Sequence, residues 1–480
     1  MNAMKTSVAA LCEWTGGSLE RGRLDQFFEA TVIDSRQAGP GCLFVAIVGP
    51  NHDAHRFVDE VLAKGSAGAL VQNDRIADRI GERIGTGPDA GFVVRVEDTT
   101  HALADLAHGH RQQFDGPLVG ITGSNGKTTT KELCHDILAR VGPTLATRGN
   151  LNNHFGVPLT LLRRRAEDAF AVIEMGMNHR GEIAALAAIA EPTIGVLTNV
   201  GTAHIEHLGS REAIAEEKGD LLAALPATGI AVVGRDEPLA FAQADRTPAR
   251  VLSFGRSPQA ELRASGVRVV DGSRFVFELE TPFGRGEIRV PGLSETIVEN
   301  ALAAAGGALA AGVSFEAVAL GLADHHGIAG RMQPRRLADD VLLIDDSYNA
   351  NPQSMRAALE ALARLESEGR RHAVLGEMGE LGGAADEAHR EVGRLAGALA
   401  LDGLFILGAS AEIVAAGARA AGLPPERIHV ERDHETIAAR LRERLGKGDR
   451  ILVKGSRAAR MERVIEALMP DESPSGEKER

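Results

Sequence analysis

A glycine-rich turn carries the clearest chemical signal in this 480-residue sequence. It follows the apolar run Leu118–Thr122, and the pattern predicts a helix over Thr128–Ala139 after it. The residues of the turn and the first positions of that helix are Gly123, Ser124, Asn125, Gly126, Lys127, Thr128 and Thr129. Glycines let backbone N–H groups approach phosphate oxygens, the lysine adds positive charge, and a threonine hydroxyl at a helix start can bind Mg²⁺. Ile121 stands where the longer P-loop pattern has glycine, so this is the shorter T-G-x-x-G-K-T-T form. The turn predicts a nucleotide phosphate site.

Polar residues follow two later apolar runs. Glu174 ends the run Ala171–Ile173, and at the carboxyl edge of a parallel sheet its carboxylate would lie near the phosphates as a second Mg²⁺ ligand. His204 follows the next run, and Lys218 lies further on among acidic residues. Each alone is more often structural, as a hydrogen-bonding histidine or a solvated lysine. Their joint occurrence favours a functional site.

The elements that must position these residues alternate between strands and helices. Short apolar runs ending in polar or glycine residues predict parallel strands at Ala171–Glu174, Ile194–Asn199 and Ile230–Gly234. Between Ser253 and Val290 the pattern changes to antiparallel strands that flank the middle of the chain. After Arg331 a second alternation predicts strands at Val341–Ile344, Ala373–Leu375, Leu404–Leu407, Ile428–Val430 and Ile451–Val453, with a helix over Met355–Glu366.

Length and pattern together predict an α/β protein of three domains. The central domain has a mostly parallel, P-loop-type ATPase sheet, and the C-terminal domain is Rossmann-like and doubly wound. The expected limits are 1–112 for the first domain, 113–331 for the central domain and 332–470 for the third, followed by a disordered tail over 471–480.

Composition excludes several classes of protein. The formal charge is 53 − 66 = −13, which disfavours a nucleic-acid binder because such proteins need a basic surface. Cys12, Cys42 and Cys134 are odd in number and lack metal-site spacing, so we expect reduced thiols and a cytoplasmic protein. The longest weakly polar run, Ala301–Val313, is too short to span a membrane, and no span is expected.

The order of these motifs resembles the ATP-dependent Mur ligase superfamily, the amide-forming ligases of peptidoglycan synthesis. Within it, the third domain resembles the branch that adds D-alanyl-D-alanine to UDP-N-acetylmuramoyl-tripeptide, and the first domain resembles its uridine-nucleotide-binding domain. The matching stretches are Asp34–Arg36, Gly41–Ala46, Asn150–Asn153, Gly156–Thr160, Asp345–Met355, Gly376–Gly382 and Val453–Arg457.

The resemblance implies a role for each matched residue. Residues 123–129 hold the ATP phosphates, Asn300 binds the adenine, and Arg331 and Asp346 close over the nucleotide. Thr128 and Glu174 hold one Mg²⁺; His204 and Lys218 hold a second, Lys218 as a CO₂-derived carbamate, because an unmodified ammonium would repel the metal. The implied catalytic residues are Lys127, His204, Lys218, Arg331 and Asp346. The UDP-substrate residues are Ser35, Arg36, Asn150, Asn152 and Asn153, and the dipeptide residues are Asn349, Glu377 and Met378.

The resemblance also implies that the partners are the UDP-linked tripeptide and D-alanyl-D-alanine. We expect a monomer, with no nucleic-acid partner and no membrane span, although the oligomeric state has no signal in the sequence. Several alternatives stay open at this point. They are a sister ligase of the superfamily, a folylpolyglutamate-synthase-like enzyme and a regulatory ATPase. The third residue of the tripeptide, meso-diaminopimelate or lysine, has no sequence signal, and either Asp345 or Asp346 could face ATP. The segment Pro291–Val298 departs from the family pattern ahead of Asn300.

Overall fold

The computed structural model describes residues 4–72 and 91–469, and within these ranges the large sheets have five, nine and six strands. They follow one another along the chain, and the two later sheets are mostly parallel, as the sequence predicts. None of the helices in the described ranges has the length and apolar composition needed to cross a membrane. The predicted tail over 471–480 lies outside the described residues.

The first sheet has the strand order β2-β9-β8-β5-β4 and is parallel except for β2. The elements of this first region are β1 Thr6–Ser7, α1 Val8–Thr15, β2 Ser18–Arg21, β3 Phe27–Phe28, β4 Ala30–Val32, β5 Cys42–Val45, β6 Val48–Gly49, β7 His52–Asp53, α2 Val58–Ala63, β8 Gly68–Gln72, β9 Phe92–Val96 and α3 Thr99–Arg111. β1 pairs with β3, and β6 pairs with β7, in two separate two-stranded sheets. Just after β5, the Ala46 N–H donates to the Leu70 carbonyl of β8 (3.0 Å), and the Ala46 carbonyl accepts from the Thr99 hydroxyl of α3 (2.9 Å).

The central sheet has nine strands in the order β11-β12-β10-β13-β14-β15-β16-β17-β18. Its strands are β10 Leu118–Thr122, β11 Thr144–Ala146, β12 Phe170–Glu174, β13 Ile194–Leu197, β14 Ile230–Gly234, β15 Arg250–Gly255, β16 Leu262–Val270, β17 Arg274–Thr281 and β18 Gly284–Pro291. Pairing is parallel from β11 to the start of β16 and antiparallel from β16 to β18. The predicted antiparallel strands therefore extend this sheet at one edge.

The helices of the central region cover that sheet. They are α4 Lys127–Ala139, α5 Gly156–Leu161, α6 Glu182–Ala190, α7 Ile205–Leu208, α8 Arg211–Ala223, α9 Pro238–Phe241, α10 Thr296–Ala310 and α11 Phe315–Ala323. Helix α10 is rich in alanine and glycine, and Cβ atoms built on Gly306 and Gly307 would lie 2.6 Å from Val232 and 3.3 Å from Val119. Small residues thus let α10 approach the sheet closely, which brings its first turns to the phosphate loop.

The third sheet has the order β19-β20-β24-β21-β22-β23, parallel except for β19. Its elements are β19 Gln333–Arg336, β20 Leu342–Asp346, α12 Pro352–Arg364, β21 Arg371–Leu375, α13 Ala385–Ala398, β22 Gly403–Leu407, α14 Ala411–Ala420, β23 Ile428–Glu431, α15 His434–Arg442, β24 Arg450–Lys454 and α16 Glu462–Leu468. Helix α12 begins before its predicted start at Met355, because Asn351 and Ser354 form a reciprocal cap around Pro352.

Candidate active site

The turn between β10 and α4 needs both of its glycines. Gly123 and Gly126 have φ values of 152° and 79°, which favour glycine. A Cβ on Gly126 would lie 2.0 Å from Asn300 Oδ1, and one on Gly123 would lie 1.8 Å from Thr198 Oγ1. Neither distance is possible for a side chain, so the backbone of the loop lies directly against its neighbours.

Two residues that directly follow the neighbouring strand β13 hydrogen-bond to the loop, and the sequence analysis did not identify them as site residues. Asn199 accepts from the Asn125 N–H through Oδ1 (2.9 Å) and donates to the Asn125 carbonyl through Nδ2 (2.9 Å). Thr198 donates to the same carbonyl (2.7 Å). Their signal in the sequence is that they are polar residues following an apolar strand, as Glu174 is.

Lys127 is the first residue of α4, and its side-chain amine lies against the loop. Its Nζ donates to the Gly123 carbonyl (2.7 Å). Burial lowers the pKa of Lys127, the carboxylate of Glu174 opposes that effect, and the guanidinium of Arg331 reinforces it. The lysine therefore lies within the field of both Glu174 and Arg331, so these three predicted residues occupy one site.

Thr128 and Glu174 fit the predicted cation site. Glu174 is 2% exposed; its Oε1 accepts from Asn152 Nδ2 (2.8 Å), and Oε2 has no hydrogen-bond partner in the described part of the chain. Thr128 Oγ1 accepts from Arg331 Nη2 (3.0 Å) and retains a further lone pair. A buried carboxylate oxygen without a donor is the kind of atom that a divalent cation would satisfy.

His204 and Lys218, the predicted ligands of a second ion, differ in their surroundings. His204 Nδ1 lies 2.6 Å from Glu380 Oε2 of the third domain. Lys218 is 1% exposed and makes no hydrogen bond or ion pair with any residue that the structure describes. Burial lowers the pKa of Lys218 well below its ordinary value, Lys127 acts in the same direction, and Glu217 opposes both. Residues 4–72 and 91–469 contain no cluster of three or more His, Cys, Asp or Glu side chains arranged for a metal, so their ligand role stays a prediction.

Arg331 and Asp346 occupy the third-domain side of the site. Arg331 stacks on the ring of Tyr348, with its guanidinium carbon 4.3 Å from the centroid. Asp346 accepts from Lys454 Nζ (2.5 Å) and lines the cleft. Asp345 instead accepts from Arg335 Nε (3.1 Å), on the far side of the strand. Asp346, and not Asp345, therefore lines the cleft between the central and third domains.

The cleft between the central and third domains has a volume of about 1640 Å³. The phosphate loop and Asn300 line it from one side, and the segment after β20 lines it from the other. Asn351 Nδ2 donates to Asn125 Oδ1 (2.7 Å) across it, and Thr202 Oγ1 donates to Gln353 Oε1 (3.0 Å) beside it. These hydrogen bonds hold the two domains together at the loop.

The predicted UDP-substrate residues lie in two places. In the first domain, Arg36 Nη2 pairs with Asp34 Oδ2 (2.6 Å) and lies beside Ser35; the hydrogen bonds from Arg36 lower the pKa of Asp34 to about 2. The asparagine run belongs to the central domain, where Asn150 is exposed. Asn153 Oδ1 accepts from the Gly156 N–H (2.9 Å) at the start of α5, and Asn152 bonds to Glu174 as described above.

Of the three predicted dipeptide residues, one lines the cleft. Asn349 does so, and its carbonyl accepts from Lys454 (2.9 Å). The Met378 side chain is 3% exposed and belongs to the core of the third domain. The Glu377 carboxylate accepts from the Ser410 hydroxyl (3.1 Å). In the predicted dipeptide segment Gly376–Gly382, the residues that line the cleft are Gly379 and Glu380, whereas the sequence analysis singled out Glu377 and Met378.

The chain resembles characterised enzymes over nearly its whole length. Residues 121–308 match the Mur ligase middle domain, and residues 330–457 match the Mur ligase glutamate ligase domain. The UDP-N-acetylmuramoyl-tripeptide–D-alanyl-D-alanine ligase of Escherichia coli is 36% identical over 470 residues, covering 97% of this chain and 98% of the relative. The Bacillus subtilis ligase of the same name is 31% identical over 474 residues, covering 98% and 99%.

The chain therefore belongs to the MurF family of Mur ligases. Solved structures agree with this assignment: MurF from Acinetobacter baumannii has a TM-score of 0.87 and 33% identity, covering 98% of this chain and 99% of that one. MurF from Thermotoga maritima, solved in complex with ADP, has a TM-score of 0.79 and 31% identity, covering 92% and 96%. As a MurF-type Mur ligase, the chain is an ATP-dependent enzyme that forms a C–N bond.

Proposed function

We propose that this enzyme joins D-alanyl-D-alanine to UDP-N-acetylmuramoyl-tripeptide and converts ATP to ADP and phosphate. The observation that carries the proposal is the hydrogen bond between Asn351 and Asn125 (2.7 Å). It joins the third-domain stretch Asp345–Met355, which matches the D-alanyl-D-alanine-adding branch, to the phosphate loop. A cleft lined from both sides suits a reaction that needs ATP and an incoming amine at one point. The two substrates are those that the relatives' names state, UDP-N-acetylmuramoyl-tripeptide and D-alanyl-D-alanine.

We assign one task to each domain. Residues 1–112 bind the UDP sugar, 113–331 hold ATP and metal, and 332–470 bring the dipeptide and close over the nucleotide. Cys12, Cys42 and Cys134 are all free thiols, which supports the cytoplasm, where this reaction completes the pentapeptide precursor.

ATP binds with its phosphates on the loop amides and Lys127. Asn300 lies on α10 against Gly126 and lines the cleft, which supports its assignment to the adenine. Arg331 reaches the first turn of α4 through Thr128 and adds a second positive charge there. These groups screen the repulsion between the γ-phosphate and the substrate carboxylate.

Thr128 and Glu174 would hold one Mg²⁺, and His204 and Lys218 a second. Mg²⁺ supplies Lewis-acid charge to the phosphate oxygens when bound. Lys218 suits carbamate formation because its lowered pKa favours the neutral amine. In that step the amine lone pair attacks the carbon of CO₂, a C–N bond forms, and the amine proton is released to solvent. The product is an anionic oxygen ligand in place of an ammonium.

The chemistry that the site supports begins with a carboxylate, which is a poor electrophile. An oxygen of the tripeptide carboxylate attacks the γ-phosphorus, the bond to ADP breaks, and an acyl phosphate forms. The dipeptide amine then attacks the carbonyl carbon, inorganic phosphate leaves, and the nitrogen loses a proton. Lys127 and Arg331 stabilise charge on the transferring oxygens, and contact between the domains excludes water that would hydrolyse the intermediate.

The test is ADP release from ATP and Mg²⁺ in the presence of the UDP-linked tripeptide, with and without D-alanyl-D-alanine, with the product identified by mass. We expect release to need both substrates and the product to gain the dipeptide. Consumption of ATP regardless of substrate, or equal activity with L-amino acids, would instead assign the chain to a regulatory ATPase or a sister ligase. Separate assays with meso-diaminopimelate and lysine tripeptides identify the third residue.

A further inference from the structure

Five carboxylate residues line the nucleotide cleft within the described part of the chain. They are Asp236, Glu237, Glu299, Asp346 and Glu380. All but one are held by a permanent cation or a backbone N–H. The pairs are Asp236 with the Arg256 N–H (2.5 Å), Glu237 with Arg211 Nη2 (3.0 Å), Glu299 with Arg256 Nη2 (2.8 Å) and Asp346 with Lys454 Nζ (2.5 Å).

Glu380 is the exception, because its close partner is the imidazole of His204 (2.6 Å). Its side chain is 48% exposed. Its φ of 60° is unusual for a residue other than glycine, and its carbonyl accepts from the Glu206 N–H (3.4 Å). A third-domain loop is thus pinned to the central domain in a conformation that presents this carboxylate to the cleft. Strained backbone of this kind is common at functional sites.

Glu380 lines the same cleft as the phosphate-loop residues Gly126, Lys127 and Thr128, from the side of the third domain. With ATP on the loop, an anion would therefore stand on each side of the reacting carbonyl, phosphate at Lys127 and carboxylate at Glu380. Two facing anions favour a cation between them. Apart from metal ions, the cation that the reaction itself brings is the ammonium of the dipeptide.

We propose that Glu380 is the binding residue that receives the ammonium group of the incoming dipeptide and holds it beside the acyl phosphate. This inference rests on the proposed function and extends it to a residue. The dipeptide enters with the third domain, and its amine must meet a carbonyl held near the loop. Glu380 belongs to the third domain and lines the cleft that also contains the phosphate loop, so it satisfies both requirements.

The experiment compares Glu380→Gln with wild type in steady-state kinetics. Loss of a charge-assisted hydrogen bond should raise KM for D-alanyl-D-alanine by about 10- to 100-fold, with KM for ATP and for the tripeptide within about twofold. A second measurement uses propanoyl-D-alanine, which lacks the amine, as a competitive inhibitor. Its inhibition constant should be the same for both enzymes, because it has no ammonium for Glu380 to bind.

Glu387→Gln is the matched control, since Glu387 is an exposed residue of α13 paired with Arg390 outside the cleft. It should leave all constants unchanged. Glu380→Asp, which keeps the charge, should recover part of the dipeptide affinity, and melting temperatures should show that each variant is folded.

An unchanged KM for the dipeptide in Glu380→Gln would overturn the proposal. Equal weakening of propanoyl-D-alanine, or a raised Mg²⁺ requirement with unchanged dipeptide KM, would also overturn it, since these outcomes assign Glu380 to packing or to His204. Failure of the proposed function is distinguishable, because wild type itself would then show no dipeptide-dependent ADP release.

Discussion

Arg331 Nη2 donates to Thr128 Oγ1 over 3.0 Å, so a residue at the entrance to the third domain is bonded to the helix that begins at the phosphate loop. The same guanidinium stacks on Tyr348, which follows β20. One side chain thus connects the nucleotide site to the sheet of the third domain. The position of that domain and the positive charge beside the phosphate loop are therefore linked.

Replacing Arg331 should affect turnover more than folding. Arg331→Lys keeps a positive charge but loses the planar stack and the fork of donors, and we expect kcat to fall at least about 10-fold, with Arg331→Ala falling about 10²-fold or more. Steady-state ADP release measures both. Arg336→Ala removes an exposed guanidinium from β19 and should remain near wild type. A Lys variant with full turnover would show that charge alone matters.

Lys127→Ala should lower turnover by at least about 10²-fold, because a preorganised charge at the phosphates is lost. Lys64→Ala is the control, since Lys64 pairs with exposed Glu60 in the first domain. Single-turnover ADP formation separates the chemical step from product release. Near-normal turnover of Lys127→Ala would contradict the assignment of this loop.

Lys218→Ala should be impaired to a similar degree, and short carboxylates such as acetate or formate should restore part of the activity by replacing the carbamate oxygens. ¹³C-labelled CO₂ should give a carbamate resonance in wild type that the variant lacks. If neither rescue nor the resonance appears, the carbamate is absent, whereas the fold and the phosphate site are unaffected by that result.

Gly126→Ala should lower the free energy of unfolding by more than the cost of placing alanine in a left-handed backbone conformation. A left-handed φ costs a non-glycine residue about 1 kcal/mol, and the Cβ would also collide with Asn300 Oδ1, 2.0 Å away. Gly312 has a similar φ of 88° with no described atom within 4 Å of its Cβ position, so Gly312→Ala isolates the backbone cost. Denaturant unfolding should rank Gly126→Ala well below Gly312→Ala, and ATP affinity should fall in the former alone.

Acidification should weaken the junction between the first and central domains through His110. Burial lowers the pKa of His110 from 6.5 to about 4, and Arg164 contributes. The unfolded state then binds more protons between these values, so stability is complete above about pH 6.5 and falls as the pH drops towards 4, by about 3 kcal/mol. His110→Leu should flatten that part of the pH profile of unfolding. An unchanged profile would contradict the shift.

The sequence predicts the strand, turn and helix of the phosphate loop well because these residues are contiguous. Lys127 begins the helix within one residue of the predicted start, and Glu174 ends its strand as expected. The clamp from Thr198 and Asn199 was missed because it depends on which strand lies beside β10, and that neighbour is set by sheet order rather than by local pattern. Asn152 was expected at the UDP substrate, whereas its side chain bonds to Glu174.

The dipeptide side of the site shows the limit of local reasoning. Glu377, Met378 and Glu380 belong to one loop, and no strand or helix period indicates which of them faces the cleft. The backbone of Glu380 has a positive φ, and its carbonyl accepts from the Glu206 N–H of the central domain. This contact exists only in the folded chain, so the sequence alone does not show that Glu380 lines the cleft. In the same way, Asp345 and Asp346 are equivalent in the sequence, and their different partners separate them.

The place of β24 in the third sheet has a consequence for biosynthesis. Arg450–Lys454 follows the other five strands in sequence yet lies between β20 and β21, and its Lys454 holds Asp346 in place. A nascent chain on the ribosome can complete its first two sheets while translation continues, whereas the third lacks an inner strand until Lys454 has emerged. Nascent chains that stop short of β24 would expose the edges of β20 and β21, which makes them targets for chaperones and proteases rather than slow enzymes.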